Sequence, residues 1–147
     1  MNLKKKVTAM AMAAGLGVMS AMTAFAATTV SVEMFGLTDS GYLYSDHSGK
    51  MVANATKDGD DVTINFKPVA MGTITGHIQT IETAGGQSGE ADAAGLMSFT
   101  YIPEGFAFQG AYTKGGEMVN LVGTEISYDV VLSSGSHSTS AGAIVIK

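Results

Sequence analysis

Three aspartates fall within four positions of the stretch Thr56 to Phe66, "TKDGDDVTINF", the densest acidic cluster in a sparsely charged chain. Carboxylates so close together suit a calcium loop, an acid–base pair or a polar turn. An EF-hand loop needs Gly at its sixth position and Glu at its twelfth. Counted from Asp58, those positions hold Thr63 and Val69, so that motif fails. Asp58-Gly59 between "MVANAT" and "VTINF" matches instead the short-range signal of a β-hairpin. The stretch reads as a turn, with adventitious calcium and catalytic carboxylates as the displaced alternatives.

Nucleophilic catalysis requires a Ser or Thr beside a His and an orienting acid. Of the three histidines, His47 follows Asp46 in "YLYSDHSGK", His77 sits in a strand pattern, and His137 lies in "SSGSHSTS". No Gly-x-Ser-x-Gly elbow is present, and the histidines lack metal-ligand spacing. His77 is expected to point outward, opposite Ile74 and Ile78, and His137 to be solvated. No enzyme is predicted. The methionines at 34, 51, 71, 97 and 118 are of a type that suits Cu(I). Scattered one to a strand, they read better as core filling. The aromatics are denser: Tyr42 and Tyr44 flank Leu43, and Tyr101, Phe106, Phe108 and Tyr112 gather around Pro103. An apolar slot edged by phenol hydroxyls suits a flat hydrophobic ligand. A mixture of core and loop aromatics is the competing reading.

These residues must be positioned by strands. From Thr28 onward, short runs with period-two alternation are separated by Gly, Asp and Ser. They are "TTVSVEMF", "GKMVANAT", "DVTINFKP", "GTITGHIQTIET", "GLMSFTYIP", "GEMVNLV", "EISYDVVL" and "AGAIVIK". No window keeps helical periodicity for three turns. The pattern predicts an all-β fold, an Ig-like antiparallel β-sandwich of about eight strands. "AGGQSGEADAAG" (84 to 95) is expected to be a mobile loop or at most a helical turn.

Compartment is read from the first residues. Lys4, Lys5 and Lys6 precede an apolar run that ends in Ala24-Phe25-Ala26, a small-x-small cleavage site. Residues 1–26 are therefore predicted to be a secretory signal peptide, with an uncleaved anchor as the rival, and residues 27–147 a single domain. That domain holds five lysines, no arginine and thirteen acids, a formal charge of −8. It cannot build the basic face that nucleic acid requires. The absence of cysteine excludes disulfides and thiol chemistry. The expected location is secreted or at the cell surface, where a surface protein is a possible partner.

Two stretches together resemble the near-iron-transporter (NEAT) domain, the haem-binding Ig-like module of Gram-positive cell surfaces. They are "SGYLYSDHSGKMVANATKDGDDVTINFKPVAMGTITGHIQTI" and "FTYIPEGFAFQGAY". The first is similar to the family's lip followed by pocket-wall strands. The second is similar to its extended strand ending in Pro and its hairpin bearing Tyr-x-x-x-Tyr. The resemblance implies a binding module for haem or a related tetrapyrrole in iron acquisition, with Ser40, Tyr42 and Tyr44 as lip residues. Its iron-ligating and hydrogen-bonding tyrosines fall on Phe108 and Tyr112. Phe108 cannot donate to iron, so the ligand role passes to Tyr112, with Tyr101 as the other phenol within reach, or binding is lost. The segment after Tyr112 is longer than the family's usual ending. A carbohydrate-binding or adhesive module that stacks sugars on Tyr42, Tyr44 and Tyr112 is the alternative, beside a structural surface protein with no small ligand.

Overall fold

The structure, a computed structural model, describes residues 27–147; the signal segment read over residues 1–26 lies outside the described residues. Among the described residues, twelve strands form two facing sheets and one short helix lies beside them. In chain order the strands are β1 (Thr28–Thr29), β2 (Val32–Thr38), β3 (Gly41–Tyr44), β4 (Val52–Asp58), β5 (Asp61–Phe66) and β6 (Val69–Met71). There follow β7 (Ile74–Thr83), β8 (Ser88–Glu90), β9 (Met97–Tyr101), β10 (Phe106–Ala111), β11 (Met118–Leu132) and β12 (His137–Ile146). Helix α1 (Asp46–Lys50) lies between β3 and β4. Among the described residues no helix is long and apolar enough to cross a membrane.

The smaller sheet has the order β9-β5-β4-β1 and is antiparallel throughout. Its β4–β5 hairpin turns at Gly59-Asp60, with Asp58 opposite Asp61 and Gly59 at φ 64°. The aspartates of "TKDGDD" thus hold the turn expected of them. The larger sheet runs β10-β3-β2-β12-β11-β7-β6, with β8 beside β7. Alternation, with a register shift at Gln79 that turns both Ile78 and Ile81 of β7 inward, sends Met34, Ile78, Ile81, Ile126, Tyr128 and Ile144 of the large sheet against Ala55, Val62, Ile64, Phe66, Phe99 and Tyr101 of the small one. This is the all-β sandwich expected, with the core between two antiparallel-rich sheets.

Several details differ from the sequence reading. "GEMVNLV" and "EISYDVVL" are one strand, β11, fifteen residues long. Gly123 does not break it: an added Cβ there would collide with the Ile144 carbonyl oxygen, so the glycine permits a close approach to β12. "GYLY" and "FAFQGA" are additional strands, joined by the short parallel pairing Tyr42–Gly110 and Leu43–Ala111. The 84–95 segment contains β8 and is tied down by Glu104. The Glu104 carboxylate accepts from Thr83 Oγ1 (2.5 Å), Gly85 N (3.0 Å) and Gln87 Nε2 (2.8 Å). Burial pushes that carboxyl up, but the three hydrogen bonds outweigh it and hold its pKa below the ordinary value.

The large sheet closes partly on itself. The first half of β11 pairs with β10, from Met118–Ala111 to Gly123–Phe106, while its second half pairs with β12 and β7. Since β10 also pairs with β3, the strands β10, β3, β2, β12 and β11 form a ring. Its interior is a second apolar layer, on the face opposite the sandwich core. Of the methionines, Met34, Met51 and Met97 are buried in the core, as expected; Met71 is half-buried and Met118 exposed.

Candidate ligand-binding site

Alternation along β2 puts Met34 in the sandwich core and therefore Phe35 on the other face, inside the ring. Phe35 is 1% exposed and makes edge-to-face contacts with Tyr44, Phe108 and Tyr112, at centroid distances of 5.8, 5.6 and 5.4 Å. Tyr42 meets Phe108 at 4.8 Å and Phe106 at 5.9 Å, and Tyr44 meets Tyr112 at 5.7 Å. Gly110 makes room for this cluster, since a Cβ there would press on the Phe35 ring. The structure thus brings together four of the five residues singled out for the ligand: Tyr42, Tyr44, Phe108 and Tyr112. They pack on one another around the buried Phe35 and so build a second core in the mouth of the ring, with Tyr42 also reaching the wall of an adjacent cavity.

Tyr112 stands at its rim. Its hydroxyl donates to Glu33 Oε1 at 2.7 Å, and Lys147 Nζ lies 3.4 Å from the same oxygen. The hydrogen bond to Glu33 raises the phenol pKa, burial adds to it, and Lys147 opposes both. Burial, followed by the charge of Glu125, raises that of Tyr42. Tyr101 is elsewhere, stacked on Phe99 at 4.9 Å in the sandwich core, where burial raises its pKa strongly. Its hydroxyl has no hydrogen-bond partner among the described residues. Ser40 belongs to the β2–β3 turn, beside Tyr42 on the wall of a cavity of about 410 Å³.

A larger opening lies where α1 faces the β11–β12 hairpin. "YSDHSGK" forms one helical turn because Ser45 caps it: Ser45 Oγ accepts from Ser48 N at 3.3 Å, with Asp46 in the first turn and Lys50 in the last. Ser45 Oγ donates to Ser48 Oγ (2.9 Å), and Ser48 Oγ pairs with Tyr128 Oη (3.1 Å). This buried chain of hydroxyls fixes α1 to β11. Beyond Tyr128 the hairpin runs past the core, leaving Val130 at the core's margin and Leu132 outside it. The resulting cleft, of about 560 Å³, has Leu37, Met51, Met71, Val130 and Leu132 as apolar walls. His47, Ser138, Thr139 and Ser140 supply polar groups around it. That volume is in the range of small-molecule sites.

The sequence reading did not assign this cleft. Tyr128 and Leu132 read as ordinary strand positions and Met71 as core filling; the signal that could have pointed here is Ser45, placed to cap a turn before His47. His77 is half-buried, with Nε2 at 2.7 Å from Gln79 Oε1 and its ring against Gly95. His137 is exposed, as expected, with Nδ1 at 3.2 Å from Asp129. Among the described residues no three His, Asp or Glu side chains converge as a metal-holding group. No family model matches the chain, and neither a curated protein nor a solved structure matches it.

Proposed function

We propose that the protein is a secreted or cell-surface binding module of NEAT-like type, non-enzymatic, that takes haem or a related tetrapyrrole in iron acquisition. The observation that carries this reading is the α1 cleft, with apolar walls, hydroxyls around them and one imidazole. A porphyrin seated there buries apolar surface at about 25 cal/mol per Å² before ordering costs. Imidazole is a standard axial ligand for haem iron, and His47 is the imidazole on the cleft wall. Tyr112 fits the iron less well. A phenolate ligand needs a readily lost proton, and the bond to Glu33 holds that proton in place. The carbohydrate alternative has less behind it, because the Tyr42 and Tyr44 rings contact other aromatic rings.

Titration with haemin, followed by absorption, tests the proposal. The expected result is a shifted Soret band that saturates at one equivalent, is altered in His47→Ala and is unchanged in Tyr112→Phe. A wild-type protein that leaves the haemin spectrum unchanged overturns the function. A spectrum sensitive to Tyr112→Phe but not to His47→Ala moves the iron to the aromatic rim.

A further inference from the structure

The cavity beside Ser40 is separate from the α1 cleft and is built differently. It opens next to the β3–β10 pairing, which is only two residue pairs long, between the β2–β3 turn and the β10–β11 turn. Both turns are locked by their own hydrogen bonds. Thr38 Oγ1 donates to the Gly41 carbonyl at 2.7 Å and accepts from Ser40 N at 3.1 Å. Gly116 N donates to the Thr113 carbonyl at 2.9 Å. Gly41 (φ 105°) and Gly115 (φ 76°) hold backbone conformations that side-chain-bearing residues rarely adopt, so the two turns are specified in sequence. The walls of the cavity are therefore formed in advance of any ligand.

Its apolar lining comes from Tyr42, Leu43, Ala111 and Met118. Asp39 from one turn and Lys114 from the other also line it. Neither is in an ion pair among the described residues. One free carboxylate and one free ammonium from two different turns, lining one cavity together with apolar side chains, are complementary to a small molecule that carries both charges and an apolar body. We infer that this cavity binds a free α-amino acid with an apolar side chain. Lys114 takes its carboxylate, Asp39 its ammonium, and the side chain lies against Leu43, Ala111 and Met118. A ligand with one charge leaves the other turn's partner unmatched, so the zwitterion is preferred over singly charged analogues.

The test is an amide NMR titration of the 27–147 protein with L-phenylalanine, 3-phenylpropionate and phenethylamine. L-Phenylalanine is expected to shift the amides of Gly41, Ala111 and Gly115 saturably in the millimolar range. Either analogue should bind about tenfold more weakly, a difference of about 1.4 kcal/mol. Lys114→Ala should reduce L-phenylalanine to the level of phenethylamine. Met118→Trp, at an exposed position, should fill the cavity and remove binding while the circular dichroism stays that of the wild type. No saturable shift at these amides, or equal binding of all three probes, overturns the inference. His47→Ala, which bears on the haem reading, should leave this titration unchanged.

Discussion

If the ring of β10, β3, β2, β12 and β11 encloses a true second core, its centre is Phe35, and Phe35→Ala should be among the most damaging single changes. The ring is 1% exposed and touches three other aromatic rings at 5.4 to 5.8 Å. Truncating a buried Phe to Ala costs about 3–5 kcal/mol through lost transfer energy and the cavity left behind. The rigid ladders on either side restrict collapse, which places Phe35 near the middle of that range, about 4 kcal/mol. A domain of this size has a total stability of about 6–18 kcal/mol, so the variant should still fold in water. With a urea m-value of about 1.5 kcal/mol per M, the midpoint should fall by about 2.7 M with m unchanged. The chain has no tryptophan, so far-ultraviolet circular dichroism and tyrosine fluorescence are the probes. Phe35→Leu, which keeps most of the volume, should cost about 1.5 kcal/mol or less. A midpoint shift below about 1 M for Phe35→Ala would mean that the aromatic layer is loosely held surface, and the second-core account would be wrong.

Three further outcomes follow from particular contacts. Tyr101→Phe removes a buried hydroxyl without a partner and should raise stability by about 1 kcal/mol; a lower urea midpoint would show that the hydroxyl is satisfied. Tyr128→Phe takes a partner from Ser48 and should cost about 1 kcal/mol, with faster hydrogen exchange at Gly49 N, whose bond to Ser45 closes α1; unchanged exchange would separate α1 from that hydroxyl. Glu104→Gln should cost about 1 kcal/mol at pH 7, after allowance for its exposure to solvent. Because the folded carboxyl pKa lies below its ordinary 4.5, the wild-type advantage is present above that value. It should disappear as pH falls through the folded pKa, and a difference that persists in acid would contradict the assignment.

The sandwich was legible because several of its strands alternate and their turns carry Gly and Asp. "VTINF" and "MSFTY" show buried and solvent-facing residues in strict turn, and Gly59 turns the hairpin between Asp58 and Asp61. The misread elements are those whose glycines serve close packing. Gly123 resembled a break in sequence, yet it lets β11 pass close to β12 as one continuous strand. Helix α1, a single turn of five residues, is too short for any periodicity to register, and the sequence reading predicted no helix there. The aromatic residues were legible as a group but their arrangement was not. That depends on a parallel pairing between Tyr42-Leu43 and Gly110-Ala111, segments far apart in the chain. The α1 cleft draws on β2, α1, β6, β11 and β12, and Leu132 or Met71 in isolation is one more strand residue.

Where a tetrapyrrole sits can be mapped directly by amide NMR of the 27–147 protein titrated with diamagnetic zinc protoporphyrin IX. The account predicts saturable shifts at Ser45, His47, Ser48, Val130, Leu132, Ser138 and Ser140, with Phe106 and Phe108 unmoved. Shifts confined to Tyr42, Phe108 and Tyr112, or no saturable shift anywhere, would contradict it.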